Sequence, residues 1–403
     1  MTSHSSASPT AKKSLWILLS VVVIDLIGFG IVIPILPFYA EAYGATAFQL
    51  GLLVTSFAGM QFLMAPVWGR ISDRMGRRPV ILVTIAGTSL ALLIFGLADS
   101  LLWLFVGRIL GGVFGANISV ATAYITDLTG EEDRTRWMGM IGASFGVGFI
   151  LGPAIGGLLS PYGYHVPILL AAGMAAVNFL YAAANLREPE RREAVTVGII
   201  SATRSYALSR FVRRMTVLYF LFTFGVSQLE TMFGFFMLKR FGYEAWDLAW
   251  LLVVMAVVMA GIQGGAIRSL SRRFGEYRLL MTGSAVLAVA CAAIPFMPTV
   301  AVLLIPLVFS SVGRGIAQPS MLSLVSSATT EKNRGTVMGG FQSGASLARV
   351  LGPMAAGALF EVEAWGPFVT AGVMMLLVLS VAAGLDLASI KADPTPAPEA
   401  QPG

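Results

Sequence analysis

Gly69-Arg70-Ile71-Ser72-Asp73-Arg74-Met75-Gly76-Arg77-Arg78-Pro79 is a polar island between two long apolar runs, 48–69 and 79–97. Each run is close to the ~20 residues that a helix needs to cross a ~30 Å hydrocarbon layer. The island is short and basic, and it has glycine where a tight turn needs one. It reads as a turn between two membrane-spanning helices, and the same reading extends in both directions. Apolar runs bounded by charged or Gly/Pro-rich breaks fall at 14–39, 48–69, 79–97, 101–126, 137–159 and 166–186. After a polar stretch they resume at 214–238, 246–268, 278–297, 300–326, 335–360 and 365–388. The expected fold is an all-α membrane protein of twelve transmembrane helices in two six-helix bundles.

The composition agrees. Charged residues make up 12% of the 403 residues and apolar ones 56%, whereas a soluble domain carries roughly 25% charged residues. The first run is too long for a signal-peptide core and no small-residue cleavage pattern follows it, so it is expected to be retained as a helix. The single cysteine, Cys291, lies in an apolar run and reads as a small packing residue. His4 and His165 lack ligand-type neighbours, so neither a metal site nor a cofactor is expected.

The cations fix the orientation. With the N-terminus inside, the inner segments hold 22 of the 27 Lys and Arg residues, and the outer loops hold only Lys239 and Arg240. The positive-inside rule then places both termini in the cytoplasm. The expected organisation is a cytoplasmic segment 1–13, a bundle over 14–186, a basic cytoplasmic linker 187–213, a second bundle over 214–388 and a disordered tail 389–403. Part of the linker, around 198–212, suits an amphipathic helix at an anionic lipid surface. The net charge of +6 is accounted for by this distribution and implies no nucleic-acid partner.

The halves repeat at an offset near 200 residues. Glu131-Glu-Asp-Arg134 precedes Trp-Met-Gly139, and Glu331-Lys-Asn-Arg334 precedes Val-Met-Gly339. Leu151-Gly152-Pro153 recurs as Leu351-Gly352-Pro353, and Gly157 is matched by Gly357. Two tandem six-helix halves share one topology and can rock about a midplane site between them.

The spacing Gly69-x-x-x-Asp73-Arg74-x-Gly76-Arg77-Arg78 resembles the signature of the major facilitator superfamily. The fifth run carries Gly148-Phe-Ile-Leu-Gly152-Pro153-Ala-Ile-Gly156-Gly157, similar to the motif of that superfamily's drug/proton antiporters. Small residues at this spacing allow close helix approach, and Pro153 lets the helix bend. Within the superfamily, the first 190 residues look most like the tetracycline/proton antiporter branch, through Asp25-Leu-Ile-Gly-Phe-Gly-Ile-Val-Ile-Pro34-Ile-Leu-Pro37 and Gly142-Ala-Ser-Phe-Gly146. The branch's acid in helix 3, histidine in helix 8 and aspartate in helix 9 have no counterpart, and helix 3 here reads Ser89-Leu-Ala-Leu-Leu93. The resemblance therefore implies a lipophilic, drug-like substrate rather than tetracycline itself.

Ionisable groups at membrane depth cost ~2.5–3.5 kcal/mol on insertion scales and mark functional positions. The acids are Asp25 in helix 1 and Glu230 in helix 7, expected to carry protons as the coupling ion. Arg108 matches the family's helix-4 arginine, to which a part in proton transfer is attributed. For each of the three the plain alternative is a structural ion pair. Arg314 and Arg349 stay open between pairing and substrate work. Asp127 is expected to join Asp73 and Arg77 in a charge network locking an inner gate. Expected cavity residues are Phe29, Asn117, Phe145, Gln228, Phe233, Gln263, Arg314 and Gln342.

No phosphate-cradling Gly-x-x-x-x-Gly-Lys-Ser/Thr run is present, and two histidines make no Ser/His/Asp set, so neither ATP drive nor an enzyme is expected. The reading is a secondary active transporter: proton-coupled export of lipophilic drug-like molecules (tetracycline-like or multidrug efflux) by alternating access. It is expected to work as a monomer in the bacterial inner membrane. The alternative is a proton-coupled importer of a small nutrient or metabolite.

Overall fold

In the computed structural model, described over residues 9–115, 117–129, 131–189, 210–329 and 334–385, twelve helices are long and apolar enough to cross a bilayer. They are α1 (Lys12–Ala42), α2 (Ala47–Met75), α3 (Arg77–Gly96), α4 (Leu101–Leu128), α5 (Arg136–Tyr162) and α6 (His165–Asn185). There follow α7 (Phe211–Phe241), α8 (Ala245–Phe274), α9 (Glu276–Phe296), α10 (Val300–Ser327), α11 (Val337–Val362) and α12 (Gly366–Ala383). The expected segments 1–8, 190–209 and 386–403, with most of the amphipathic stretch 198–212, lie outside the described residues.

Three local features differ from the sequence reading. The polar island is mostly helix: α2 runs on to Met75, and the turn is reduced to Gly76, whose φ of 103° suits glycine. The polar residues extend the helix past its apolar run, because nothing in Arg-Ile-Ser-Asp-Arg breaks it. Next, α4 is two pieces, Leu101–Phe114 and Asn117–Leu128. Finally, α8 carries a π turn over Ile262–Ala266, within a glycine-rich stretch.

The chain packs as two compact units. One takes in Met1–Ala194, Ser227–Ala260 and Arg349–Pro367; the other takes in Val195–Val226, Gly261–Ala348 and Phe368–Gly403. In the first unit α1 packs on α5 and α6, α2 on α4, and α3 on α4 and α6. The α1–α5 seam is a glycine contact. A Cβ on Gly30 would stand 2.4 Å from the Gly148 carbonyl oxygen, and one on Gly152 would stand 2.5 Å from Gly30 Cα. Toward the charged-loop end these helices close over a core of Leu15, Leu18, Ile81, Ile85, Tyr124 and Trp137.

The internal repeat reappears as reciprocal contacts inside this first unit. Gly157 of α5 meets Ala249 at the start of α8, where a Cβ would stand 2.2 Å away. Its repeat mate Gly357 of α11 meets the Ala47 carbonyl oxygen at the start of α2, at 2.5 Å. On the same side Lys239 pairs with Glu41 at 2.9 Å, and the Phe48 N–H donates to Glu361 at 3.0 Å. In the second unit α9 and α10 meet through Gly283 and Gly313, and Tyr219 stacks on Phe341 with centroids 4.3 Å apart.

Candidate functional site

The break in α4 builds the site. Ending a helix at Phe114 leaves carbonyls without intrahelical partners. Two side chains of α2 supply donors: the Gln61 amide donates to the Gly115 carbonyl at 2.6 Å, and the Trp68 indole N–H donates to the Val113 carbonyl at 2.6 Å. The chain then restarts as a helix at Asn117, which is buried and turned toward α1. There Asn117 Nδ2 donates to Asp25 Oδ2 at 3.2 Å. Among the described residues Asp25 makes no ion pair, so a neutral amide is its partner.

One turn along α1 from Asp25 stands Phe29, on the same helical face. Phe29 lies 5.6 Å from Phe57 of α2 and 6.3 Å from Phe149 of α5, which continues to Phe145 at 6.3 Å. Phe29 is exposed, so the row presents ring surface next to the acid. The helix-4 glycines make room for it: a Cβ on Gly112 would lie 2.4 Å from the Phe57 carbonyl oxygen, and one on Gly111 would lie 3.3 Å from the ring. Arg108 is buried with its guanidinium over the Phe57 ring at 4.3 Å, and its Nε faces the Leu53 carbonyl at 3.5 Å. The structure thus brings Asn117 to Asp25 and places Arg108 against α2.

At the other end of these helices Arg77 bridges two carboxylates. Its Nη1 donates to Asp73 Oδ1 at 2.6 Å and its Nε to Asp127 Oδ2 at 2.8 Å. Arg77 Nη1 also reaches Ser72 Oγ at 2.7 Å. The start of α3 is held by a residue from beyond α6: Glu188 accepts from the Arg77 and Arg78 backbone N–H groups at 2.6 and 2.8 Å. A carboxylate is favoured there by the unpaired donors and positive end of the helix. Arg78 Nη2 donates to the Ala183 carbonyl at 2.7 Å, and the Tyr124 hydroxyl donates to the Arg187 carbonyl.

The sequence model of the Major Facilitator Superfamily matches residues 18–300 and 266–402. The chain belongs to the major facilitator superfamily. Among the superfamily's proteins it is 31% identical over 363 residues to the class C tetracycline resistance protein of Escherichia coli, covering 88% of this chain and 91% of that one. It is 30% identical over 377 residues to Multidrug resistance protein 2 of Bacillus subtilis (strain 168), covering 91% and 93%. The crystal structure of the human organic anion transporter MFSD10 (TETRAN) superposes with a TM-score of 0.68 at 25% identity, over 93% of this chain and all of that one. The protein is therefore a multi-pass membrane transporter and not an enzyme.

Within this major facilitator protein the other expected positions fall out as follows. Gly148, Gly152 and Gly156 face α1, and Gly157 faces α8, so the helix-5 motif is a packing surface on two helices. Gly69 and Arg70 are helical residues of α2. Glu230 is exposed on α7, although its neighbours Leu229 and Thr231 are buried. Gln228 and Phe233 are buried in the same helix, while Gln263, in the π turn of α8, and Gln342 are exposed. Arg314 is half-buried in α10. Five residues of the site escaped the sequence reading: Phe57, Gln61, Trp68, Phe149 and Glu188. Only Glu188 had a signal, as the first acid after α6.

Proposed function

We propose that this transporter exports lipophilic, drug-like small molecules in exchange for protons by alternating access. The observation that carries the reading is Asp25, a half-buried acid bonded to an amide and one turn from the exposed end of an aromatic row. Such an acid holds a proton or an ionised substrate interaction but not both. Ring surface suits apolar substrates of varied shape. The names of the relatives, tetracycline resistance and multidrug resistance, support the same substrate class. Both termini lie in the cytoplasm in this reading, and the membrane is the bacterial inner membrane.

Asp73, Arg77 and Asp127 serve as the inner gate. Arg77→Lys keeps the charge, but an ammonium does not present separate nitrogens in a fixed fork to two carboxylates. With Asp73 largely exposed, the lost contact is expected to cost about 1 kcal/mol. That corresponds to a roughly fivefold slower fluorescent-dye efflux with dye binding retained. Full-rate efflux by Arg77→Lys removes the gate role.

The substrate class is tested by a susceptibility panel on efflux-deficient bacteria expressing the intact protein or Asp25→Asn. Raised tolerance to several lipophilic drugs and dyes, lost in the variant, is the expected result. Unchanged susceptibility across the panel, with the protein present in the membrane, overturns the export reading.

A further inference from the structure

We propose that Asn117 is the positioning residue of Asp25 in both of its protonation states, donating to the carboxylate and accepting from the acid. The inference rests on the proton-carrier reading of Asp25 and goes beyond it. In the structure only one half of the amide is used. Asn117 Nδ2 donates to Asp25 Oδ2 at 3.2 Å, while Asn117 Oδ1 is buried with no hydrogen-bond partner. Asn117 is 5% exposed, so water does not readily take that place.

A primary amide carries a donor and an acceptor side by side, as a carboxylic acid does. With Asp25 ionised, the amide N–H serves the carboxylate and the amide oxygen is left over. When a proton arrives on Asp25, the acid O–H becomes a donor for which the only missing partner is an acceptor. Asn117 Oδ1 is that acceptor. The two groups then close a ring: acid O–H to amide oxygen, amide N–H to acid carbonyl. No bond to carbon changes; a proton is taken up and a second hydrogen bond is made.

The surroundings leave this task to Asn117. The segments packed most extensively on α1 are α5, α6 and the second piece of α4, and α2 meets it at the Phe29–Phe57 contact. Their charged residues are Arg136 on α5, with Glu131–Arg134 just before it, His165 on α6, Asp127 on α4 and Arg70, Asp73 and Arg74 on α2, each near the end of its helix, while the buried Arg108 of α4 is engaged with the Phe57 ring. Asn117 itself is held by the break in α4, which Gln61 and Trp68 secure.

Infrared difference titration of the purified protein in lipid nanodiscs tests this, with Asp25→Asn identifying the Asp25 acid carbonyl band. In the wild type the band should have the frequency of a hydrogen-bonded acid. In Asn117→Leu, which matches the amide in size without donor or acceptor, it should move up to that of a free acid. Asn117→Ala removes the amide without bulk and should give the same shift should the leucine variant not fold. Asn117→Gln, which keeps the amide, should retain the bonded band. A purely structural Asn117 that serves only the carboxylate would leave the acid band where it is. An unmoved band in the leucine or alanine variant therefore overturns the proposal. If the wild type has no band that Asp25→Asn removes, Asp25 does not titrate, and the proton-carrier reading fails along with the inference built on it.

Discussion

Asp25→Asn is expected to abolish uphill export while leaving a folded, membrane-inserted protein that still lets substrate run down its own gradient. The amide has the shape of the protonated acid and no proton to release. In an antiporter, proton and substrate each weaken the other's binding, and that coupling is reciprocal. A tenfold proton gradient stores about 1.4 kcal/mol per proton, enough for about tenfold substrate accumulation in a one-for-one electroneutral exchange. The accumulation ratio should therefore collapse from that order toward one. Everted vesicles energised by a pH gradient, with dye accumulation as readout, measure it directly. Proton release on adding dye to purified protein should vanish in the same variant. Glu230→Gln is the matched comparison. Glu230 is exposed where Asp25 is half-buried and amide-bonded, so the larger loss is expected at Asp25. If both amides accumulate dye as the wild type does, the coupling site lies elsewhere.

The second large effect is expected at Gly152. A Cβ there would meet Gly30 Cα at 2.5 Å and the Gly30 carbonyl carbon at 2.6 Å. Both are backbone atoms, so no side chain can swing aside, and α1 and α5 must separate. Overpacking typically costs ~1–3 kcal/mol where neighbours can adjust, and here they cannot. Gly152→Val should therefore lose most of its folded, detergent-extractable protein, read as the monodisperse peak of a fluorescent fusion. Gly142 on the same helix provides the control, because nothing lies within 4 Å of a Cβ built on it. Gly142→Ala should fold at wild-type yield, with a gain of up to ~1 kcal/mol from the better helix former. Equal yields for the two variants would mean that the α1–α5 seam is not tight.

The contrast between these glycines shows where the sequence was informative and where it stopped. Twelve spans were legible because a bilayer demands one length and one composition of every span. The family signature around Asp73 was legible because its glycines and charges keep a spacing that ordinary basic loops do not have. The glycines of α5 looked alike in sequence, yet Gly152 touches backbone and Gly142 touches nothing. A small residue at four-residue spacing states that close approach is possible, not that it occurs. The break in α4 was hidden inside an unbroken apolar run, since Gly115 and Asn117 do not interrupt a hydropathy profile. Asn117 was consequently read as cavity lining rather than as the partner of Asp25. Phe57 and Phe149 were missed for a related reason. Aromatics fill every span of this chain, and only contact geometry separates a row from a scatter. Glu188 was assigned to a solvated linker because its Arg-Glu-Pro context is polar.

Glu188 sets the place at which the chain can be divided. Its carboxylate caps α3 although it follows α6, so the first bundle is complete only when the sequence continues past that residue. A first half ended at Asn185 would contain all six helices and still strip α3 of its two charge-assisted bonds, which at this exposed helix start contribute roughly 0.3–1 kcal/mol. Two co-expressed pieces should reassemble when the cut falls beyond Glu188 and poorly when it falls before, however well the helices themselves are preserved.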